Sequence, residues 1–244
     1  MIYLYDGSFD GFLCCVYAHY YYERASAIYT IDGFQQQLGE ACVVMERDDE
    51  KAKRVYQAME EKLGDEIVSK AYRCFLAEDL EKDTRILNYL RLCFRYGPQV
   101  DGYRTHPWVL PIHELDRKVG RQAHRYLGIL RFSDIQGVLY AAYTPDYDIT
   151  RIIMPHFADR FKRERFIIHD RRRQKAGVYA RGQWLERDFD MDLLQYRSEK
   201  ERNFEALWKG YFEHIAIEAR KNPKLQANFV PKRYRNFVTE FQPR

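Results

Sequence analysis

The sequence predicts an α+β fold: an N-terminal strand, loop and helix opening a mainly helical half, then a C-terminal antiparallel sheet flanked by helices. Three observations carry this reading. Apolar residues recur at helical spacing between Asp48 and Phe94. Runs rich in β-branched and aromatic residues, separated by Gly-containing turns, dominate from Gly128 to Asp188. Glycine and proline punctuation from Gly97 to Pro107 lies between them.

Taken in order, Ile2 to Tyr5 reads as a strand, and Asp6-Gly7-Ser8 turns the chain into a helix bearing Phe9, Leu13, Val16 and Tyr20. Strands are expected around Ile28–Ile31 and Ala41–Met45. Ala52, Val55, Tyr56, Met59 and Leu63 predict a helix ending at Gly64; Val68, Ala71, Tyr72 and Phe75 predict a second, and Leu87, Leu90 and Phe94 a third. These elements form a half over residues 1–100, followed by another over 101–244, with packing as one unit left open.

The next helix begins near Pro111 and carries Ile112, Leu115, Val119, Ala123 and Tyr126. A hairpin is expected with strands Gly128–Phe132 and Val138–Tyr143, then a helix from Tyr147 to Phe161. Three strands follow, Arg165–Asp170, Gly177–Ala180 and Gln183–Asp188, the last two joined at Arg181-Gly182. Ser198 and Glu201 make a capping box for a helix with Phe204, Leu207, Trp208, Tyr211, Ile215 and Ala219 on one face. The tail from Asn222 to Arg244, with three prolines, is expected to wrap the body in extended form.

A chain of 244 residues with 46% hydrophobic content can bury a core without staples, and its composition excludes wholesale disorder. The net charge of +4 is only mildly basic, so evidence for a polyanionic partner must come from where the charge sits. The 20 tyrosines, within an aromatic share of 16%, are the compositional feature that calls for explanation. Five cysteines without a CxxC pair read as reduced thiols of a cytoplasmic protein. Cys15 and His19 have a metal-compatible spacing, but two further ligands are not identifiable, so no metal and no cofactor is assigned. The opening MIYLYDGSFDG lacks the cationic flank of a signal peptide, and its charge-free stretch Gly11–Tyr22 is too short to span a membrane.

Between Arg151 and Lys175 nine cations face three carboxylates, an excess larger than that of the whole chain. Arginine dominates, and guanidinium groups bind phosphate oxygens through paired donors. Arg131, Arg160, Arg163, Arg165, Arg171, Arg172, Arg173 and Lys175 are therefore the candidate nucleic-acid contacts, and any of Tyr140, Tyr143, Phe166, Tyr179 and Trp184 left exposed in the neighbouring strands can stack on bases. The alternative is a solvated basic surface. His156 and Arg160 share a helix face, and Asp170 ends the next strand, so these three can meet and serve acid-base or phosphodiester chemistry. The competing reading makes Asp170 an anchor for an arginine. Asp6, Gly7, Ser8 and Asp10 are a second candidate, a loop before a helix able to cradle an anion, against simple helix capping.

The motifs YDGSFDGFL (5–13), HRYLGILRF (124–132), GVLYAAYTP (137–145), HFADRF (156–161), FIIHDRRR (166–173) and NPKLQANFVPKRY (222–234) together resemble a bacterial family of probable DNA metabolism proteins associated with a radical-SAM partner. The resemblance implies DNA repair or modification as the setting, a radical-SAM protein as companion, and kinship to domains fused to uracil-DNA-glycosylase-like domains. It implies no catalytic residue. The chain lacks the three-cysteine motif of radical-SAM enzymes, so the expectation is a DNA-binding accessory. A nuclease or base-processing enzyme using His156 and Asp170, and an adaptor binding only protein, are the rivals.

Overall fold

In the computed structural model, residues 1–35, 41–215 and 223–241 are described, and they form an α+β arrangement of eight helices and two sheets. The chain divides into two compact units, Met1–Gly120 and Arg121–Arg244. The division falls within the helix Leu110–Ile129, and the Gly97–Pro107 stretch lies inside the first unit.

In the first unit, β1 (Ile2–Tyr5) is the middle strand of a parallel sheet, with β2 (Ala27–Thr30) on one side and β3 (Cys42–Val44) on the other. Every β1 residue is buried, which explains its continuous apolar run rather than an alternating one. α1 (Phe9–Tyr21) follows β1, and α2 (Asp49–Leu63), α3 (Asp65–Phe75) and α4 (Lys82–Tyr96) carry the expected stripes. Ala52, Val55, Met59, Leu63, Val68, Ala71, Leu87 and Leu90 are buried, whereas Tyr72 and Phe94 are half-buried and Tyr56, at the stripe's margin, is exposed. Gly64 ends α2 at a φ of +81°, a left-handed conformation that a Cβ disfavours.

Thr84, in the first turn of α4, closes the outer edge of β2. Its Oγ1 accepts from Ile28 N at 3.0 Å and donates to Ile28 O at 3.1 Å, satisfying two edge groups that would otherwise invite another strand. On α3 the buried Lys70 pairs with Asp101, which also accepts from the Tyr89 hydroxyl at 2.6 Å. Burial opposes the charge on Asp101, but Lys70, Tyr89 and His113 together hold its carboxyl below the usual range.

α5 (Leu110–Ile129) buries Ile112, Leu115, Val119, Ala123 and Tyr126 as expected. It also absorbs Gly128 and Ile129, which corrects the first hairpin strand: the strand is β4 (Ser133–Ile135), and Gly128–Phe132 is helix end and connection. The apolar register that fills the α5 stripe continues through Tyr126 to Leu130 and outweighs the local strand signal.

The second sheet has the order β4, β5 (Val138–Tyr143), β6 (Phe166–Asp170), β7 (Lys175–Ala180), β8 (Gln183–Asp188). It is mixed: β5 and β6 run parallel, and the other pairs are antiparallel. The helix α6 (Thr150–Arg160) returns the chain to the starting end between β5 and β6, and such a crossover is what parallel pairing requires. On the α6 face Phe166 stacks on Tyr179, and Ile168 is buried there, as are Ile153, Met154 and Phe157 of the helix. Gly177 lets α6 approach, since a Cβ there would stand 2.7 Å from Met154 Cγ. Gly177→Ala is expected to cost about 1–3 kcal/mol, readable as a shifted denaturant midpoint at unchanged slope.

α7 (Glu199–Ile215) starts with Ser198 Oγ accepting from Glu201 N. On the expected apolar face Phe204, Leu207, Trp208 and Tyr211 are exposed. Ala219 lies outside the described residues. The tail is not extended, because α8 (Pro223–Phe229) and short 3-10 turns at Lys232–Phe237 and Thr239–Phe241 coil it. Pro223 occupies a first helical turn, where its missing N–H costs nothing. Among the described residues no helix is long and apolar enough to cross a membrane.

Candidate nucleic-acid interface

The cations expected to converge on one face divide between the two ends of β6. Arg165 precedes the strand and Arg171 follows it, so the five residues of β6 separate the groups, about 20 Å from Arg165 to Arg171. At the first end stand Arg160, Lys162, Arg163 and Arg165, joined by Arg181 in the β7–β8 turn. All five are exposed. Lys162 pairs with Asp159, and Arg165 donates a long 3.4 Å bond to the Gly137 carbonyl. Arg160 lies over the Phe161 ring, and Arg163 has no ion-pair or hydrogen-bond partner among the described residues. Cations here outnumber the nearby carboxylates Asp134, Asp159 and Glu164.

At the other end Arg173 is bound into the fold, while Arg172 stays exposed and Arg171 and Lys175 are half-buried. Arg173 donates to Asp170 Oδ2 at 2.8 Å and to the Asp146 carbonyl at 2.8 Å, and only 16% of its side chain is exposed. Arg172 reaches the Asp146 carbonyl, Arg171 pairs with Asp192 at 3.2 Å, and Lys175 lies near Asp148 and Glu186. Arg131 is held by Glu240 at 2.9 Å. Arg131 and Arg171 line a common cleft of about 500 Å³ on the opposite sheet face from α6, together with Arg197, Lys209, Asp192 and Glu205. Arg197 Nη1 donates to both Glu205 carboxylate oxygens, and with Arg171 on Asp192 and Arg131 on Glu240 the charge in this cleft is largely balanced.

Asp170 is fully buried, and its Oδ1 accepts from the Arg172 and Arg173 backbone N–H groups. Burial pushes its carboxyl above the usual range, more than Arg173 pulls it down. His156 is exposed on α6, against the Phe157 ring. No hydrogen bond or ion pair among the described residues joins His156, Arg160 and Asp170, and Asp170 acts as an anchor of the β6–β7 turn. On the other face of β6, His169 meets the Tyr140 hydroxyl through Nδ1 at 2.6 Å, and its Nε2 is buried without a partner among the described residues. Burial, then Arg171, lowers its basicity.

The loop Asp6-Gly7-Ser8 leaves the carboxyl end of β1, where the chain order switches between β2 and β3, the position at which open parallel sheets receive ligands. Its polar groups are turned on one another. Asp6 Oδ1 accepts from Ser8 N at 2.9 Å and Ser8 Oγ at 2.7 Å, and Ser8 Oγ caps α1 by accepting from Gly11 N at 3.0 Å. Gly7 has a φ of +83°, and a Cβ on Gly11 would collide with the Asp6 carboxylate. Asp10 pairs with Arg47 at 2.9 Å. Beneath the loop lies a pair that sequence reasoning missed: Tyr5 and Asp83, in which neither the hydroxyl nor Asp83 Oδ1 has a regular hydrogen-bond partner among the described residues. Burial lifts the Asp83 carboxyl to about 6. Its only signal in the sequence is an acid in the first turn of α4, which also fits ordinary helix-terminus electrostatics. His19 Nδ1, weighed as a metal ligand, accepts from Ala25 N at 2.9 Å.

Comparison with known proteins gives one family match, to a model described as a domain of unknown function, over residues 80–240. No curated protein matches the chain.

Proposed function

The chain belongs to the DUF4130 family, and from that premise we propose that its second unit is a DNA-binding element acting as an accessory in DNA repair or modification. The observation that carries this reading is the exposed arginine group Arg160, Arg163 and Arg165, with Arg181 beside it, whose guanidinium donors are not consumed by carboxylates. Arginines in this state are available to replace the counterions of a phosphate backbone. The radical-SAM companion and uracil-DNA-glycosylase-like partner implied by the resemblance are the enzymes to which bound DNA is presented. Arg173 belongs to the folding machinery of the unit rather than to the contact surface.

The test is a fluorescence-anisotropy titration of labelled DNA across a salt series with the Arg160→Glu, Arg163→Glu, Arg165→Glu triple variant. Weaker binding and a log K against log salt slope shallower by about 2–3 are expected, close to one per lost phosphate contact. A slope equal to that of the wild type removes this surface from the proposal.

A further inference from the structure

The first unit carries an aromatic groove that neither its core nor the arginine group of the second unit explains. α1, α2 and α4 enclose about 580 Å³ lined by Tyr17, Tyr20, Tyr21, Arg54, Lys62 and Phe94 among others. The tyrosines stay out in solvent: Tyr20 is 50% exposed, Tyr21 54% and the adjacent Tyr22 64%. Isolated exposed aromatics are ordinary, but these form an ordered array. Tyr17 and Tyr21 stack with centroids 4.3 Å apart and planes 18° from parallel, and Tyr20 meets Phe94 edge-on at 5.9 Å.

Cations are interleaved with the rings. Arg54 sits over Tyr21 at 5.0 Å. Lys62 stands at the groove wall against a single acid, Glu61. Arg24 and Arg91 also lie near the buried His19; burial first, then these two charges, push that imidazole down to about 4, so the ring adds no charge of its own at neutral pH. Rings alternating with guanidinium and ammonium groups match the flat bases and charged backbone of an unpaired strand, where each base stacks and each phosphate finds a cation.

We infer that the groove between α1, α2 and α4 binds single-stranded nucleic acid by stacking its bases on Tyr20 and Tyr21 beside Arg54 and Lys62. This deepens the DNA-binding proposal and rests on it: the second unit would hold backbone without regard to pairing, and the first would select the unpaired form.

The test compares full-length wild type with the Tyr20→Ala, Tyr21→Ala double variant and the Tyr20→Phe, Tyr21→Phe variant. Each binds a labelled oligothymidine of roughly 15 nucleotides, a length matched to common single-strand site sizes, and a duplex of equal length. Single-strand affinity is expected to fall at least tenfold in the alanine variant and to return in the phenylalanine variant, which keeps the stacking faces. Duplex affinity is expected to stay unchanged in both. An oligonucleotide carrying 5-iododeoxyuridine is expected to photo-crosslink to the peptide containing Tyr20 and Tyr21.

Equal single-strand binding by wild type and alanine variant, with crosslinks elsewhere, overturns the inference and leaves the DNA-binding reading standing. Failure of the wild type to bind either form overturns both. Retention of a protein partner at high salt by a chain that binds no oligonucleotide assigns the groove to protein instead.

Discussion

Asp170→Ala is expected to lower the unfolding free energy by about 3–5 kcal/mol, measured by urea denaturation with the midpoint read at unchanged slope. The carboxylate is fully buried and gathers three donors: the Arg172 and Arg173 backbone N–H groups and the Arg173 guanidinium. Removing it leaves two turn amides and a largely buried cation without their acceptor, and such orphaned groups bear the full cost of desolvation. His156→Ala, at an exposed site, is expected to stay within about 0.5 kcal/mol of the wild type. The contrast matters for function, because an activity lost in the Asp170 variant would then report unfolding and not missing chemistry. A midpoint equal to the wild type's would sink the anchor role.

The second large effect is on the pH dependence of stability. Asp83 is 2% exposed, and burial lifts its carboxyl from the ordinary 3.8 to about 6, over the opposing pull of Lys82 and Tyr5. The folded state therefore holds a proton that the unfolded chain releases more readily. The stability linked to this group is complete below about pH 3.8 and is lost as pH rises through about 6, a total near 3 kcal/mol. Asp83→Asn keeps the shape and removes the titration. Its stability relative to the wild type is expected to rise by about 2.5 kcal/mol between pH 4 and pH 7.5. Parallel curves for the two proteins over that range would refute the assignment. The tyrosine above it does not contribute, since burial pushes the Tyr5 hydroxyl far above neutral pH.

How much was legible in the sequence depended on whether a signal was local. The stripes of α2, α3, α4 and α5, the Ser198 cap and the β7–β8 turn at Arg181-Gly182 all depend on residues within a few positions of one another, and all are found. Ser8 as a helix cap is equally local and is found. The first hairpin strand failed because the α5 stripe runs past Gly128, and helix packing overrode a strand-like run. The α7 helix is also found, but periodicity says which residues share a face, not what that face meets, and Phe204, Leu207 and Tyr211 are exposed.

At the candidate site, the two-residue strand period correctly set Asp170 and His169 on opposite faces of β6. It could not show that Asp170 would be spent on Arg173, since both readings need the same residues at the same spacing. The arginine-rich segment was visible as composition, but its division between the two ends of a strand was not.

By itself the sequence determined the α+β class, most helices and their buried faces, and where positive charge is concentrated, because these follow from periodicity and composition along a few turns of chain. Only the tertiary structure decided that β5 and β6 run parallel, which arginines stay exposed and which fold inward, and that Tyr17, Tyr20 and Tyr21 meet Arg54 and Phe94 from other helices. Those outcomes depend on partners distant in sequence. Which carboxylate reaches which guanidinium is settled by packing, where burial makes an unpaired charge too costly to keep.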